Sequence, residues 1–138
     1  MSGTIIRPDR ISPALCRAHP DSIFLFGDNL EGRGMKGQAA IRGQPNAVGI
    51  PTKRRPAMTP DSFFSDRDLP EVEAACRGAF VRCYNAPHLG WDVWIPADGL
   101  GTGLAQLPER APAILAYING WIARLEERWG SRPYRSNT

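Results

Sequence analysis

Three short apolar runs, each stopped by a glycine or a proline, constrain the fold of this chain more than any other feature. They span residues 22–26, 46–50 and 92–95, and the residues that stop them are Gly27, Pro51 and Pro96. Continuous apolarity over so few residues is typical of strands that are buried on both faces of a sheet. The sequence therefore predicts three buried strands with marked exits, where α/β proteins usually place their ligand loops.

Two longer helices are predicted between and after these strands. Apolar residues recur with a period of about 3.6 over residues 69–84 and again over residues 108–129. Pro70 suits the first turn of the first helix, and Asp68 is its predicted cap. A shorter helix is predicted over residues 37–42. Since strands alternate with helices, we expect an α/β fold, a three-layer α/β/α sandwich around a mostly parallel or mixed sheet.

The length of 138 residues allows one domain with a real core and is too small for two ordinary domains. We predict a single domain over residues 1–129 and a flexible basic tail over residues 130–138. No apolar stretch approaches the roughly 20 residues of a membrane span, and no secretory signal pattern is visible. We therefore expect a cytoplasmic protein that has no membrane partner.

Cysteine and histidine are too sparse to indicate a metal centre. The three cysteines are too scattered for a disulfide framework or a zinc cluster, and Cys76 and Cys83 are expected to face the core. His19 and His88 lie in proline-flanked turn sequences. We expect neither a metal site nor a bound cofactor.

A glycine-rich loop over residues 27–37 follows the first predicted strand. Gly32, Gly34 and Gly37 match the pattern G-x-G-x-x-G. Glycines let the backbone approach a phosphate while its amides act as donors, although three glycines also fit an ordinary surface turn. Because residues 27–31 separate the strand from Gly32, the spacing argues against an NAD-type Rossmann site.

Asp28 and Asn29 stand where this strand ends, an edge at which polar side chains face a cleft in α/β sheets. Asparagine orients a sugar hydroxyl or a water, and aspartate accepts a hydrogen bond or a proton. The alternative interpretation is an Asx-type turn that simply ends the strand.

Residues 96–104 form a second glycine-rich loop, directly after the third predicted strand. Gly99, Gly101 and Gly103 alternate with other residues, and their amides are expected to form an anion-binding nest. Thr102 adds a hydroxyl donor, and Asp98 adds a carboxylate. The sequence contains no G-K-[ST] motif, so a Walker-type nucleotide site is not predicted.

The exit of the second predicted strand presents Thr52 and three consecutive cations. In one interpretation these cations neutralise a diphosphate, and in the other they belong to a solvated loop. We assign Lys53 to the ligand and expect Arg54 and Arg55 to lie at the surface. The irregular residues 53–68 have the length that is typical of a functional lid.

The motifs resemble, in order, those of the macrodomain-like proteins of bacteria and phages. Residues 24–32 read F-L-F-G-D-N-L-E-G and residues 37–40 read G-Q-A-A, which resembles the F-V-F-G-S-N-L-x-G-x-x-G-x-G-A-A opening of that family. Residues 50–53, I-P-T-K, resemble its A-I-P-T-K segment. Residues 101–105, G-T-G-L-A, resemble its G-x-G-L-A loop.

This resemblance implies a macro-like sandwich whose strand-end cleft binds ADP-ribose or a related nucleotide diphosphate and hydrolyses an ADP-ribosyl linkage. Asn29 and Asp28 become the candidate catalytic residues, which orient the distal ribose and a water at the anomeric carbon. The chain departs from the family at Asp28, and residues 35–36 fill a loop tip that is usually smaller, which narrows the ribose pocket. The assigned ligand-binding residues are Gly27, Gly32, Gly34, Gly37, Thr52, Lys53, Asp98, Gly99, Gly101, Thr102, Gly103 and Leu104.

Three functions are open at this point. The first is an enzyme that removes ADP-ribose from an ADP-ribosylated substrate. The second is a module that binds ADP-ribose or another nucleotide through the same loops without turnover. The third is a nucleic-acid or protein interaction domain that uses Arg54, Arg55 and the basic tail, for which a net charge of +3 is weak support.

Overall fold

Five parallel strands form the central sheet of the computed structural model, which describes residues 1–135. The strands are β1 (Ile5–Pro8), β2 (Ser22–Asn29), β3 (Ala47–Lys53), β4 (Asp92–Trp94) and β5 (Ser131–Tyr134). Across the sheet they stand in the order β3-β2-β4-β1-β5, and every neighbouring pair is parallel. The three predicted strands are confirmed, and β1 and β5 are additional strands that the apolar pattern did not predict.

Helices cover both faces of this sheet, which confirms the predicted three-layer α/β/α arrangement. The α-helices are α1 (Pro13–Ala18), α2 (Leu69–Asn85), α3 (Leu107–Arg110) and α4 (Pro112–Trp129). α2, α3 and α4 contribute to a large core on one face together with Ile23 and Leu25 of β2. α1 and the 3-10 helix Gly37–Ile41 cover the other face, where Phe24 and Phe26 are buried. Successive side chains of a strand point to opposite faces, which is why residues 23 and 25 enter one core and residues 24 and 26 enter the other.

The predicted helix over residues 108–129 is wrong in one respect, because two helices occupy this segment. α3 ends at Arg110 and α4 begins at Pro112, with Ala111 between them in a non-helical conformation (φ −151°, ψ 65°). Proline disfavours the helical conformation of the residue before it, which accounts for the break. The helix predicted over residues 69–84 is confirmed as α2. No helix within residues 1–135 is long and apolar enough to cross a bilayer.

The cysteines are buried core residues. Cys76 and Cys83 are fully buried in the larger core, as predicted, and Cys16 is buried in the smaller one. Burial raises the pKa of both Cys76 and Cys83 to about 12, so both thiols keep their protons at neutral pH. They therefore act as small apolar residues.

The predicted flexible tail over residues 130–138 is wrong for residues 131–134. These residues form β5, an edge strand that pairs in parallel with β1 from Ile5↔Ser131 to Pro8↔Tyr134. The ring of Tyr134 lies edge-on to that of Trp94, with 4.9 Å between their centroids. This contact helps to hold β5 against the sheet. The polar sequence of β5 lacks the apolar pattern that predicts a strand. Residues 136–138, the remainder of the predicted tail, lie outside the described residues.

The path of the chain opens a crevice at one edge of the sheet. β2 and β4 are neighbours, and from β2 the chain continues to the 3-10 helix Gly37–Ile41 on one face. From β4 it continues to α3 and α4 on the opposite face. Where the chain leaves adjacent strands toward opposite faces, the loops at their carboxyl ends diverge and leave room for a ligand.

We predict that Tyr134→Ala lowers the free energy of unfolding by about 1–2 kcal/mol, because it removes the aromatic contact that holds β5. Urea unfolding measures this difference. Arg132→Ala, on the exposed part of the same strand, is the matched control and should leave the midpoint unchanged. Equal stability of the Tyr134 variant and the parent chain would contradict a packed β5.

Candidate functional site

A cleft of about 490 Å³ opens at the carboxyl ends of β2 and β3. Both glycine-rich loops contribute to its lining, so the sequence motifs meet at one place. Ten of the predicted site residues line it, namely Gly27, Asp28, Asn29, Gly34, Gly37, Thr52, Lys53, Gly101, Gly103 and Leu104. Four predicted ligand residues are not part of its lining, namely Gly32, Asp98, Gly99 and Thr102.

The side chain of Gln38 ties the two glycine-rich loops together. Its Oε1 accepts a hydrogen bond of 2.8 Å from the amide of Gly27, at the end of β2. Its Nε2 donates a bond of 3.0 Å to the carbonyl of Gly99 in the second loop. A primary amide suits this position because it carries both a donor and an acceptor. Gln38 therefore fixes the spacing of the two loops across the cleft.

Two runs of backbone amides beside the cleft have no protein acceptor. Within the described part of the chain, the amides of residues 33–37 donate to no protein atom, and neither do those of residues 101–105. Most of these residues line the cleft. Consecutive unpaired amides around a concavity are the arrangement that binds phosphate and other anions.

Gly101 owes its identity to packing as well as to its turn. Its φ of +80° lies in the left-handed region, and an added Cβ would meet Leu107 Cδ1 at 2.3 Å. The same hypothetical Cβ would lie 3.3 Å from the methyl group of Thr52. The second loop is thereby pressed against both α3 and the end of β3, which brings residues 101–105 to the cleft.

The Asp28 carboxylate is engaged in holding the first loop. Its Oδ1 forms an ion pair of 2.5 Å with Arg42, and it also accepts the amide of Asn29 at 2.7 Å. Arg42 in turn donates 2.7 Å to the carbonyl of Gly34. The aspartate side chain lies over Gly49, where a Cβ would approach Oδ2 to 2.3 Å. Through Arg42, Asp28 therefore orders the loop that lines the cleft.

The Asn29 side chain closes the turn that follows β2. Its Oδ1 accepts a bond of 3.1 Å from the amide of Glu31, and its Nδ2 donates 2.8 Å to the carbonyl of Arg33. This is the Asx-type turn that the sequence analysis left open as an alternative. Asn29 therefore makes the turn and also lines the cleft.

Lys53 is a buried cation without a carboxylate partner among the described residues. Its side chain is only 7% exposed, and Nζ donates 2.6 Å to the carbonyl of Ala57. The same nitrogen lies 4.7 Å from the centre of the Phe63 ring, which also stacks with Arg110. Burial, and then the charge of Arg110, lower the pKa of Lys53. An ammonium in this setting is stabilised by any anion that enters the cleft.

Arg54 and Arg55 are bound to acidic side chains. Arg54 pairs with Asp68 at 2.7 Å and Glu71 at 2.8 Å, which raises its pKa further. Arg55 pairs with Asp61 at 2.7 Å. Both arginines therefore hold the segment over residues 53–68 in place.

The predicted lid is largely packed against the protein. Phe63 and Phe64 are buried, and Ser65 and Asp68 form a reciprocal capping box at the start of a 3-10 helix (Asp66–Asp68). Only Pro56 and Met58 of this segment beyond Lys53 line the cleft. Closure over a ligand would therefore involve the short stretch that carries these two residues.

A family model described as a family of unknown function, DUF7831, matches residues 6–121. The chain belongs to this family. The match extends from β1 into α4 and includes both glycine-rich loops and Gln38. No curated protein and no solved structure matches the chain. Membership in this family assigns no activity.

Sequence patterns did not predict the role of Gln38, which we call the clamp because it bonds to both glycine-rich loops, or the apolar part of the cleft. Gln38 lies between Gly37 and Ala39 in the G-Q-A-A segment, where the sequence assigns a ligand-binding role to Gly37 alone. Met58 belongs to no motif or periodic pattern in the sequence, because it reaches the cleft through an irregular loop. The one feature of the sequence that could have indicated the role of Gln38 is its position next to a loop glycine at the start of a short helix.

We predict that Gln38→Met lowers the free energy of unfolding by about 1–3 kcal/mol, because it leaves the Gly27 amide and the Gly99 carbonyl unpaired. Urea unfolding measures the loss. Gln44→Met is the matched control, since the Gln44 side chain forms no hydrogen bond within the described residues. If both variants unfolded at the same urea concentration, Gln38 would not be the clamp.

Proposed function

We propose that the cleft binds ADP-ribose or a related nucleotide diphosphate, in the cytoplasm. The observation that carries this proposal is that two runs of residues with unpaired amides line a single cleft, which is also lined by the buried Lys53. Amides bind the oxygens of a diphosphate without discriminating among its esters. The ammonium supplies the charge that such a ligand needs.

The charge balance of the cleft favours an anion. Among the side chains of its lining, the cations are Arg33, Lys36 and Lys53, and Asp28 is the one carboxylate. The pairing of Asp28 with Arg42 neutralises that carboxylate, and Arg33 pairs with Glu31 at 2.7 Å, which leaves Lys36 and Lys53 without a carboxylate partner among the described residues. The space near the amides is therefore positive, and in a partly enclosed site such charges act more strongly than in water.

The size of the cleft is consistent with a nucleotide. A volume of about 490 Å³ lies within the range of roughly 300–1,000 Å³ that small-molecule sites usually occupy. An inorganic phosphate alone would leave most of this space to solvent. A ligand that carries a diphosphate with attached sugar and base groups would fill more of the cleft.

The resemblance to macrodomain-like proteins supports the same ligand. The three resembling segments lie at the exits of β2, β3 and β4, and residues from each of them line the cleft. In the terms of that resemblance, Asn29 faces the distal ribose, and Gly101, Gly103 and Leu104 face the diphosphate. The parallel α/β/α architecture is compatible with this assignment.

Hydrolysis of an ADP-ribosyl linkage is the second candidate function, because Asn29 and Asp28 both line the cleft. The second N–H of the Asn29 amide and the remaining lone pairs of Asp28 are the groups available for orienting a ribose and a water. Positioning and charge stabilisation near an oxocarbenium-like centre would supply the catalysis. An ADP-ribosylated substrate would be the partner.

The ion pairs of Arg54 and Arg55 weaken the nucleic-acid alternative. That alternative depended on both arginines and on a basic tail, and both arginines bind carboxylates instead. We therefore propose that the ligand is a nucleotide and not a nucleic acid.

Calorimetric titration with ADP-ribose tests the binding proposal, with AMP, ADP and NAD as further ligands. We predict that Lys53→Met weakens ADP-ribose binding by about tenfold or more, since a hydrogen bond to a charged group is worth about 1.5–3 kcal/mol. Arg77→Met, on the exposed side of α2, should bind like the parent chain. The absence of ADP-ribose binding by a folded parent chain would refute the proposal.

A pH series separates the charge of Lys53 from a merely structural role. Because burial and Arg110 lower the pKa of Lys53, its ammonium loses its proton at a lower pH than an exposed lysine does. Affinity of the parent chain should therefore fall as the pH rises through that pKa, and Lys53→Met should abolish this fall. The same alkaline fall in the variant would show that another group titrates.

Incubation with an ADP-ribosylated protein tests hydrolysis. We predict that Asn29→Asp, which keeps the acceptor for the Glu31 amide but replaces the donor to the Arg33 carbonyl by an anionic oxygen, slows ADP-ribose release at saturating substrate by about tenfold or more. Asn85→Asp, at the end of α2, is the matched control. Binding of ADP-ribose without any release by the parent chain would reduce the function to that of a binding module.

A further inference from the structure

Three exposed apolar side chains surround the mouth of the cleft. Met35, Met58 and Leu104 are 56%, 54% and 57% exposed, and all three line the cleft. They come from three different segments, the first glycine-rich loop, the stretch after Lys53 and the second glycine-rich loop. Exposed apolar side chains that gather around one concavity mark a surface that binds something. We call these three residues the apolar rim.

The polar side chains with strong acceptor atoms lie at the floor of the cleft and already have protein partners. Asp28 accepts from Arg42, Asn29 accepts from the amide of Glu31, and Gln38 accepts from the amide of Gly27. The hydroxyl of Thr52 donates to the carbonyl of Asp28 and is almost completely buried.

Next to the apolar rim, Lys36 is the only polar side chain of the cleft without a protein partner within the described residues, and lysine only donates. The rim thus offers apolar contact but no strong side-chain acceptor.

We propose that the apolar rim grips the face of a nucleobase and does not distinguish one base from another. This inference rests on the proposed binding of a nucleotide diphosphate at the floor of the cleft. Adenine, guanine and cytosine each present an exocyclic amino group, and reading it requires an acceptor that the rim side chains lack. The flexible, polarisable side chain of Met35 adapts to flat rings of different size, which suits a rim that accepts any base. The sulfur of Met58 accepts a hydrogen bond of 3.4 Å from Lys53 Nζ, which holds this side chain at the cleft.

The ligand class is then a nucleoside diphosphate, and the cleft recognises the diphosphate and not the base. The amides of residues 33–37 and 101–105 and the ammonium of Lys53 recognise phosphate oxygens. The rim supplies apolar area, which adds affinity for a base without selecting it.

The test is calorimetric titration of the full chain with pyrophosphate, ADP, GDP, UDP and geranyl diphosphate. We expect the three nucleotides to bind within about threefold of one another, whereas a base read by one good hydrogen-bonding contact would differ by about tenfold or more. Pyrophosphate should bind about tenfold more weakly than ADP, because it lacks the group that the rim contacts. Geranyl diphosphate carries a flexible hydrocarbon in place of a base and should bind more weakly than ADP.

The double variant Met35→Ala, Leu104→Ala tests the rim directly. Both side chains are exposed, so the variant should fold, and we expect it to bind ADP about tenfold more weakly while its affinity for pyrophosphate is unchanged. Leu89→Ala, 75% exposed and outside this cleft, is the control and should bind both ligands like the parent chain.

Each outcome decides a separate point. A preference of more than about tenfold for one base, or ADP affinity unaffected by the double variant, would overturn the base-indifferent rim while leaving nucleotide binding intact. Tighter binding of geranyl diphosphate than of ADP would assign the rim to a hydrocarbon chain. Binding of none of the five ligands would instead overturn the proposed function, from which the rim proposal derives.

Discussion

The candidate site depends on one bifunctional side chain, the amide of Gln38. It bonds to Gly27 at the end of β2 and to Gly99, which lies 61 residues further along the chain than Gln38 itself. These two positions belong to loops that leave neighbouring strands toward opposite faces of the sheet, so sheet hydrogen bonds do not fix their distance. A single amide with a donor and an acceptor fixes it instead, and the unpaired amides of both loops thereby border the same space.

The charged residues around the site divide into those that build loops and those that face the cleft. Arg42, Arg54 and Arg55 each pair with at least one carboxylate and hold the segments between strands. Lys53 differs, because its buried ammonium contacts a carbonyl and an aromatic ring and no carboxylate within the described residues. Burying a charge without a counter-ion is costly, and the cost is tolerated at positions where a ligand completes the site.

The sequence predicted the layers of the fold and the approximate position of the site, because both leave local signals. Buried runs ending at Gly27, Pro51 and Pro96 mark the strands, and the glycines mark loops that turn tightly. β5 escaped prediction since its stability comes from pairing with β1 and from the contact of Tyr134 with Trp94, which are long-range. The role of Gln38 was not predicted for the same reason, because its contact with Gly99 is long-range and leaves no local pattern in the sequence. Asp98 and Thr102 were assigned for the polar groups that they add to the second glycine-rich loop, and neither is part of the cleft lining. The Thr102 hydroxyl instead donates to the carbonyl of Asp98.

Asn29 shows why binding is the firmer of the two functional proposals. A residue at a strand end was expected either to make a turn or to face a ligand, and here both polar atoms of the side chain make the turn while the residue lines the cleft. Its contribution to binding is thus the shape of the loop, which the hydrogen bonds already fix. A contribution to hydrolysis would need the second N–H of the same amide, so any chemistry must work within the geometry that the turn imposes. Binding requires only what the loops already provide, whereas catalysis requires in addition that the substrate bring its anomeric carbon to this one remaining donor.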